Sequence, residues 1–157
     1  MKPKWKLLVY VVMICLLAIL IWNGTAERRY VARVRGLDWQ ESCKIHIFDY
    51  RLNEHWADVT DPALQKAIFD GLKSLSYEGE PPSAGPYGGA HIAENTWHVK
   101  VYSPDDGWNS LVLQGKDMHG EPISWVPMDD GAVVLVGRTA DLLAAVKNAF
   151  ENSGERK

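Results

Sequence analysis

The chain's five histidines, His46, His55, His91, His98 and His119, are its best candidates for acid-base or metal chemistry. No two stand at the i, i+4 spacing that sets a metal-binding pair on one helix face, and there is no closely spaced cysteine pair to assist. His91 and Glu94 stand at i, i+3, but they follow a glycine-rich stretch and no second ligand motif accompanies them. We expect no metal and no cofactor. Nucleophilic signatures are also thin, because no Gly-x-Ser-x-Gly elbow is present. Cys43, next but one to Ile45 of a strand-like run, reads as an inert buried thiol. "AGPYGGAH" has the glycines of a phosphate cradle without the Gly-Lys-Ser/Thr ending, so it reads as a loop, with a lid over a ligand pocket as the functional alternative. Asp49, Glu54, His55, Asp58 and Asp61 crowd one connection, but their spacing does not match a calcium loop. They read as a solvated acidic surface.

Alternation suggests a more productive grouping. If Ile45 and Ile47 point into a core, Lys44, His46, Phe48 and Tyr50 point away from it; if Trp97, Val99 and Val101 point inward, His98, Lys100 and Tyr102 point outward. In a shared sheet these side chains meet on one open face, and Trp108, beside an Asp-Gly turn, extends it. The candidate binding set is therefore His46, Phe48, Tyr50, His98, Lys100, Tyr102 and Trp108. The same histidines, with a nearby carboxylate, would supply the base of a hydrolase.

These positions need a scaffold. "CKIHIFDYR" has the period of two that marks a half-buried strand. "VTDPALQKAIFDGLKSL" reads as a helix, with Asp61 as N-cap, Pro62 at the first helical position, and Leu64, Ala67, Ile68, Leu72 and Leu75 as its apolar stripe. The proline- and glycine-rich stretch "SYEGEPPSAGPYGGAHIAEN" is a long loop. "WHVKVY", "SLVLQ", "PISWV" and "AVVLV" then read as four hairpin-linked strands in a meander, the turns falling at 104–107, 116–120 and 129–131. "TADLLAAVKNAF" closes the domain as a helix capped at Thr139, with Leu142, Leu143, Val146 and Phe150 buried. A strand, a helix, four strands and a helix make an α+β domain with its helices packed on one face of an antiparallel sheet.

Ahead of this domain, Leu7 to Trp22 is sixteen residues without charge, about 24 Å of helix. Counting Lys6 and Trp5, whose side chains suit the interface, the segment can just cross a bilayer. Trp5 and Trp22 bracket it as interfacial indoles. A basic start at Lys2, Lys4 and Lys6 and a small-residue triplet, Gly24-Thr25-Ala26, also suit a cleaved signal. Retention is favoured, because the apolar run exceeds the usual signal length and ends on Trp22. Basic residues flank both sides, at Lys2, Lys4 and Lys6 and at Arg28, Arg29, Arg33 and Arg35, so the charge rule barely decides orientation. We favour a cytoplasmic tail and an extracytoplasmic domain. The expected divisions are residues 1–26 for tail and anchor, 27–43 for a juxtamembrane segment, 44–151 for the domain and 152–157 for a frayed end.

Setting the three tail lysines aside from 17 basic residues leaves 14 against 20 acidic ones, so the remainder carries −6 with histidines neutral. Nucleic acid is excluded as a natural partner by that sign. With one cysteine outside the span the domain forms no internal disulfide and rests on apolar burial. The order of elements from Ile45 to Phe150, with its capped helix and "WHVKVYSPDDGWNSLVL" hairpin, resembles small membrane-tethered bacterial extracytoplasmic domains. That resemblance implies localisation and fold class, and it supplies no catalytic residues. The function expected is a membrane-anchored interaction, accessory or sensing module that meets membrane lipid through its helix and a protein or cell-envelope partner through its domain. The alternatives are an extracytoplasmic hydrolase and a small-ligand binder with the glycine-rich lid.

Overall fold

The structure, a computed structural model, describes residues 4–50, 55–79, 92, 95–117, 119–128 and 132–153, without the side chains of residues 4, 7, 22–25 and 55. The chain is α+β. Helix α1 (Lys4–Arg35) leads into strands β1 (Lys44–Asp49) and β2 (His55–Asp58), helix α2 (Pro62–Lys73) and strand β3 (Ser76–Gly79). Strands β4 (Trp97–Ser103), β5 (Gly107–Lys116), β6 (Pro122–Pro127) and β7 (Val133–Gly137) follow, and helix α3 (Ala140–Asn152) ends the fold. All seven strands form one antiparallel sheet in the order β2-β1-β4-β5-β6-β7-β3.

Among the described residues the expected five strands are thus seven. The stretches expected as an acidic connection and the start of a loop contain β2 and β3, four-residue strands at opposite edges of the sheet. Short polar strands are common at edges, where they discourage pairing with another chain. Such strands lack the apolar alternation that identifies an interior one.

Both smaller helices begin at the expected residues. Asp61 Oδ1 accepts the Ala63 amide at 2.7 Å, and Pro62 opens α2. Thr139 stands at the N-cap of α3 without a side-chain cap bond, so the acid in its first turn, Asp141, is what favours that helix end. The buried stripe of α2 is rotated from the one expected. Ile68, Leu72 and Leu75 are buried, whereas Ala67 is exposed and Gln65, Phe69 and Gly71 take its place in the interior. Gly71 is where α2 meets α3: a Cβ there would lie 2.6 Å from Leu142 Cα. Gln65 is buried because it ties three segments together. Its Nε2 donates to Val59 O at 2.7 Å, and its Oε1 accepts from Trp39 Nε1 at 2.8 Å.

The core lies between one sheet face and the helices. Ile45, Ile47, Ala57, Trp97, Val99, Val101, Leu111, Leu113, Val126, Val134 and Val136 point into it, against Ile68, Phe69, Leu72, Leu142, Val146 and Phe150. Trp97 meets Phe150 edge-on with ring centroids 5.3 Å apart.

α1 is the one described helix long and apolar enough to cross a membrane. It continues without a break to Arg35, through the Gly24-Thr25-Ala26 triplet. Its last turns belong to the domain. Val31 and Val34 in those turns and Leu37 just beyond them, at three-residue steps, are almost wholly buried in the core. Polar contacts fix the same turns: Tyr77 OH donates to Glu27 Oε2 at 2.7 Å, Tyr30 OH to Pro127 O at 3.2 Å, and Arg33 Nη2 to Asn109 Oδ1 at 3.2 Å. The juxtamembrane segment 27–43 supplies core side chains, Cys43 among them.

Candidate functional site

The face of the sheet turned away from the helices is assembled by register. His46 lies opposite Asp58 on β2 and Lys100 on β4, and Phe48 lies opposite Trp56 and His98. Across the next pairing His98 faces Val112, Lys100 faces Ser110, and Tyr102 faces Trp108. Of the seven candidate residues, the sheet places His46, Phe48, His98, Lys100, Tyr102 and Trp108 on this face. Tyr50 lies just beyond the end of β1, its amide bonded to Thr96 O at 3.2 Å, and lines a cleft of about 380 Å³ with Phe48, Asp49 and Trp56.

The side chains interlock. The His46 ring stacks on Trp108 with centroids 5.0 Å apart and meets the edge of Trp56 at 5.5 Å. Its Nδ1 is paired with Asp58 Oδ1. Phe48 stacks on Trp56 at 6.0 Å and lies 5.7 Å from His98, and Lys100 Nζ sits 5.6 Å from the centre of the Phe48 ring. Tyr102 and Trp108 are 5.3 Å apart. Such contacts hold aromatic rings in fixed positions, and Trp108 still exposes half its surface. The apolar face continues over β5 to β7 as Val112, Trp125 and Val133, flanked by Ile123 and Leu135. Beside it β5 bulges between Val112 and Gly115, with Gln114 in the left-handed region at φ 56°.

Trp56, Asp58 and Trp125 are the members that sequence reasoning did not place here. Trp56 and Asp58 sit on the unrecognised strand β2. Trp125 is legible in principle, since "PISWV" has the pattern of a strand, but its facing depends on the register with Val112.

Of the acidic cluster, three members are described with their side chains. Asp49 is fully buried, Asp58 meets His46, and Asp61 caps α2. Among the described residues no three His, Cys, Asp or Glu side chains converge to hold a metal ion. Glu54, His91, Glu94, the loop from Pro81 to Gly89 and the 129–131 turn lie outside the described residues, as do the side chains of His55, Leu7 and Trp22. Trp5, the other indole assigned to the membrane interface, is largely exposed. Cys43 is buried, and its Sγ accepts the Gln40 amide at 3.3 Å. It lines a cleft of about 340 Å³ with His46, Asp58, Thr60 and Gln65 at the ends of β1 and β2. Strand alternation turns the thiol toward the core and His46 toward the open face, so the two are not a nucleophile and its base.

His98 Nε2 lies 3.2 Å from Ser110 Oγ. Burial lowers the pKa of His98 from 6.5, and the neighbouring Lys100 charge lowers it further. The sign of the consequence follows from linkage: below pH 6.5 the unfolded chain binds this proton more readily than the folded one. Stability from this source is complete above 6.5 and is lost as the pH falls through the lowered value. Urea midpoints measured from pH 7.5 to pH 5 should fall less for His98→Gln than for the parent chain. An identical fall would show that His98 does not couple protonation to folding.

No protein-family model, curated protein or solved structure matches this chain. The functional reading therefore stands on the geometry of this face and on α1.

Proposed function

We propose that the chain is a single-pass membrane protein whose domain, on the extracytoplasmic side, is an interaction module. α1 is its retained anchor, and a protein or cell-envelope partner docks on the open sheet face. The observation that carries the reading is the aromatic and histidine array of His46, Phe48, Trp56, His98, Tyr102 and Trp108, held by ring contacts on the face opposite the helices. Rigid aromatic anchors lose little side-chain entropy on binding, and such residues dominate interface energies. The net negative charge of the soluble part argues against nucleic acid as that partner. The resemblance to membrane-tethered bacterial extracytoplasmic domains fits the same placement.

The hydrolase alternative rests on His46 paired with Asp58 beside the 340 Å³ cleft. Its parts are divided, however: the carboxylate orients His46, whereas the serine hydroxyl in hydrogen-bond reach of a histidine belongs to His98. In a serine-type triad the orienting carboxylate and the nucleophile share one ring, and these two contacts fall on different histidines. The binding reading is therefore preferred.

The test is capture from mild-detergent extracts with the full-length chain tagged at its C-terminus, the intact mass of every recovered species being read. We expect a retained Met1 and a stoichiometric partner. The double variant Tyr102→Ser, Trp108→Ser should lose about tenfold or more of that capture, the size typical of hot-spot loss, with its thermal transition intact. Equal capture by the variant would remove this face as the docking surface, and a chain cut near Ala26 would remove the anchor.

A further inference from the structure

α1 carries a second feature, independent of the open face. Ala26, Arg29, Tyr30 and Arg33 line a groove of about 310 Å³ along the part of the helix that joins span to domain. We infer that this groove holds the phosphate of an anionic lipid headgroup. The inference rests on reading α1 as a retained span.

Arg29 and Arg33 are one helical turn apart on the same side of α1, with Ala26 and Tyr30 between and beneath them. An arginine fork matches phosphate geometry, and two forks one turn apart can approach one phosphate from adjacent directions. At 1.5 Å per residue Ala26 stands about 6 Å, Arg29 about 10 Å and Arg33 about 16 Å beyond Trp22, against a headgroup layer of roughly 5–8 Å, so Ala26 lies within that layer and the arginines reach it only through their side chains. Helical Cα–Cβ bonds tilt toward the N-terminus, which here is the membrane end. The arginine side chains therefore start out directed back toward the bilayer.

Two contacts organise the site before a ligand arrives. The Arg33 guanidinium lies 4.7 Å from the centre of the Tyr30 ring and donates to Asn109 Oδ1, and the Tyr30 hydroxyl is held by Pro127 O. The acid closest in sequence, Glu27, accepts from Tyr77 OH on β3. Arg28 belongs to that side too, with its guanidinium 5.4 Å from the centre of the Tyr77 ring. Arg29 and Arg33 line the groove in a chain whose soluble part is otherwise acidic. Binding would be partly screened at physiological salt, as headgroup electrostatics are.

The experiment reconstitutes the full-length chain in vesicles of three parts phosphatidylcholine to one part phosphatidylglycerol. The protein is then released into mild detergent, and retained lipids are counted by native mass spectrometry. Phosphatidylglycerol should be retained at least fivefold above its share in the vesicle. Arg29→Gln, an exposed position, and the double variant Arg29→Gln, Arg33→Gln should each reduce that enrichment, the double variant to parity. Arg28→Gln should leave it unchanged. Enrichment that survives in the double variant overturns the inference, as does equal loss with Arg28→Gln. Inorganic phosphate at millimolar concentration, added to lipid-free protein in detergent and followed by phosphorus NMR, is the second arm. Binding there that depends on Arg29 assigns the groove to free phosphate and overturns the lipid. Alkaline carbonate separates the two readings: a chain it strips from the vesicles overturns anchor and site together, and an inserted chain without enrichment overturns the site alone.

Discussion

A chain that starts at Asp38 is expected to lose its cooperative unfolding transition, whereas one that starts at Glu27 keeps it. The difference is the end of α1. Removing it strips Val31, Val34 and Leu37 from the core, where each is no more than 2% exposed. Burying side chains of this size contributes about 1.5–3 kcal/mol each, so roughly 4.5–9 kcal/mol is at stake. A domain of this size has about 5–15 kcal/mol in total. The shortened chain also leaves Asn109 without Arg33 and Tyr77 without Glu27. Circular dichroism on heating gives the answer. We expect either no transition or a midpoint lower by on the order of 15–25 °C for the Asp38 start. Equal midpoints would mean that the last turns of α1 rest on the domain without supporting it.

Gly71→Ala provides a test with opposite signs. Helix propensity alone says the change stabilises α2 by about 1 kcal/mol, since Gly is the poorer helix former. The packing says the reverse, because the added methyl would lie 2.6 Å from Leu142 Cα and 3.0 Å from Leu142 N. Those are backbone atoms and cannot turn aside, so α3 must move off α2, and overpacking of this kind typically costs about 1–3 kcal/mol. We expect a net loss of up to about 2 kcal/mol for Ala, by combining the two terms, and a far larger one for Gly71→Leu. Urea denaturation measures both. A more stable Gly71→Ala chain would show that the helices separate at little cost.

Much of the domain was legible because its interior strands and helices carry strong local patterns. Ile45 and Ile47 alternate with His46 and Phe48, and Trp97, Val99 and Val101 with His98 and Lys100, so the faces followed from a period of two. The capped start of α2 was equally plain in Asp61-Pro62. β2 and β3 were not, since an edge strand such as "HWAD" buries one small residue, Ala57, and otherwise looks like a connection. The same blind spot hid Trp56 and Asp58 from the candidate face. Gly71 and Gln65 were missed for another reason. Their burial answers to partners far along the chain, Leu142 for the first and Trp39 for the second, and no local periodicity encodes such contacts. Val31, Val34 and Leu37 had the right spacing, but the apolar run before them drew that stretch into the account of the membrane.

The unbroken course of α1 has one more consequence. A domain hung on a slack tether samples every heading above a membrane, but this one, on the proposed anchor, has its compass bearing set by helical phase. One residue added between Ala26 and Val31 would turn the span beneath the domain by about 100° and raise the domain by 1.5 Å. Seven added residues would nearly restore the bearing while lifting it roughly 10 Å. The azimuth at which the sheet meets its surroundings is thus written into the residue count of the helix.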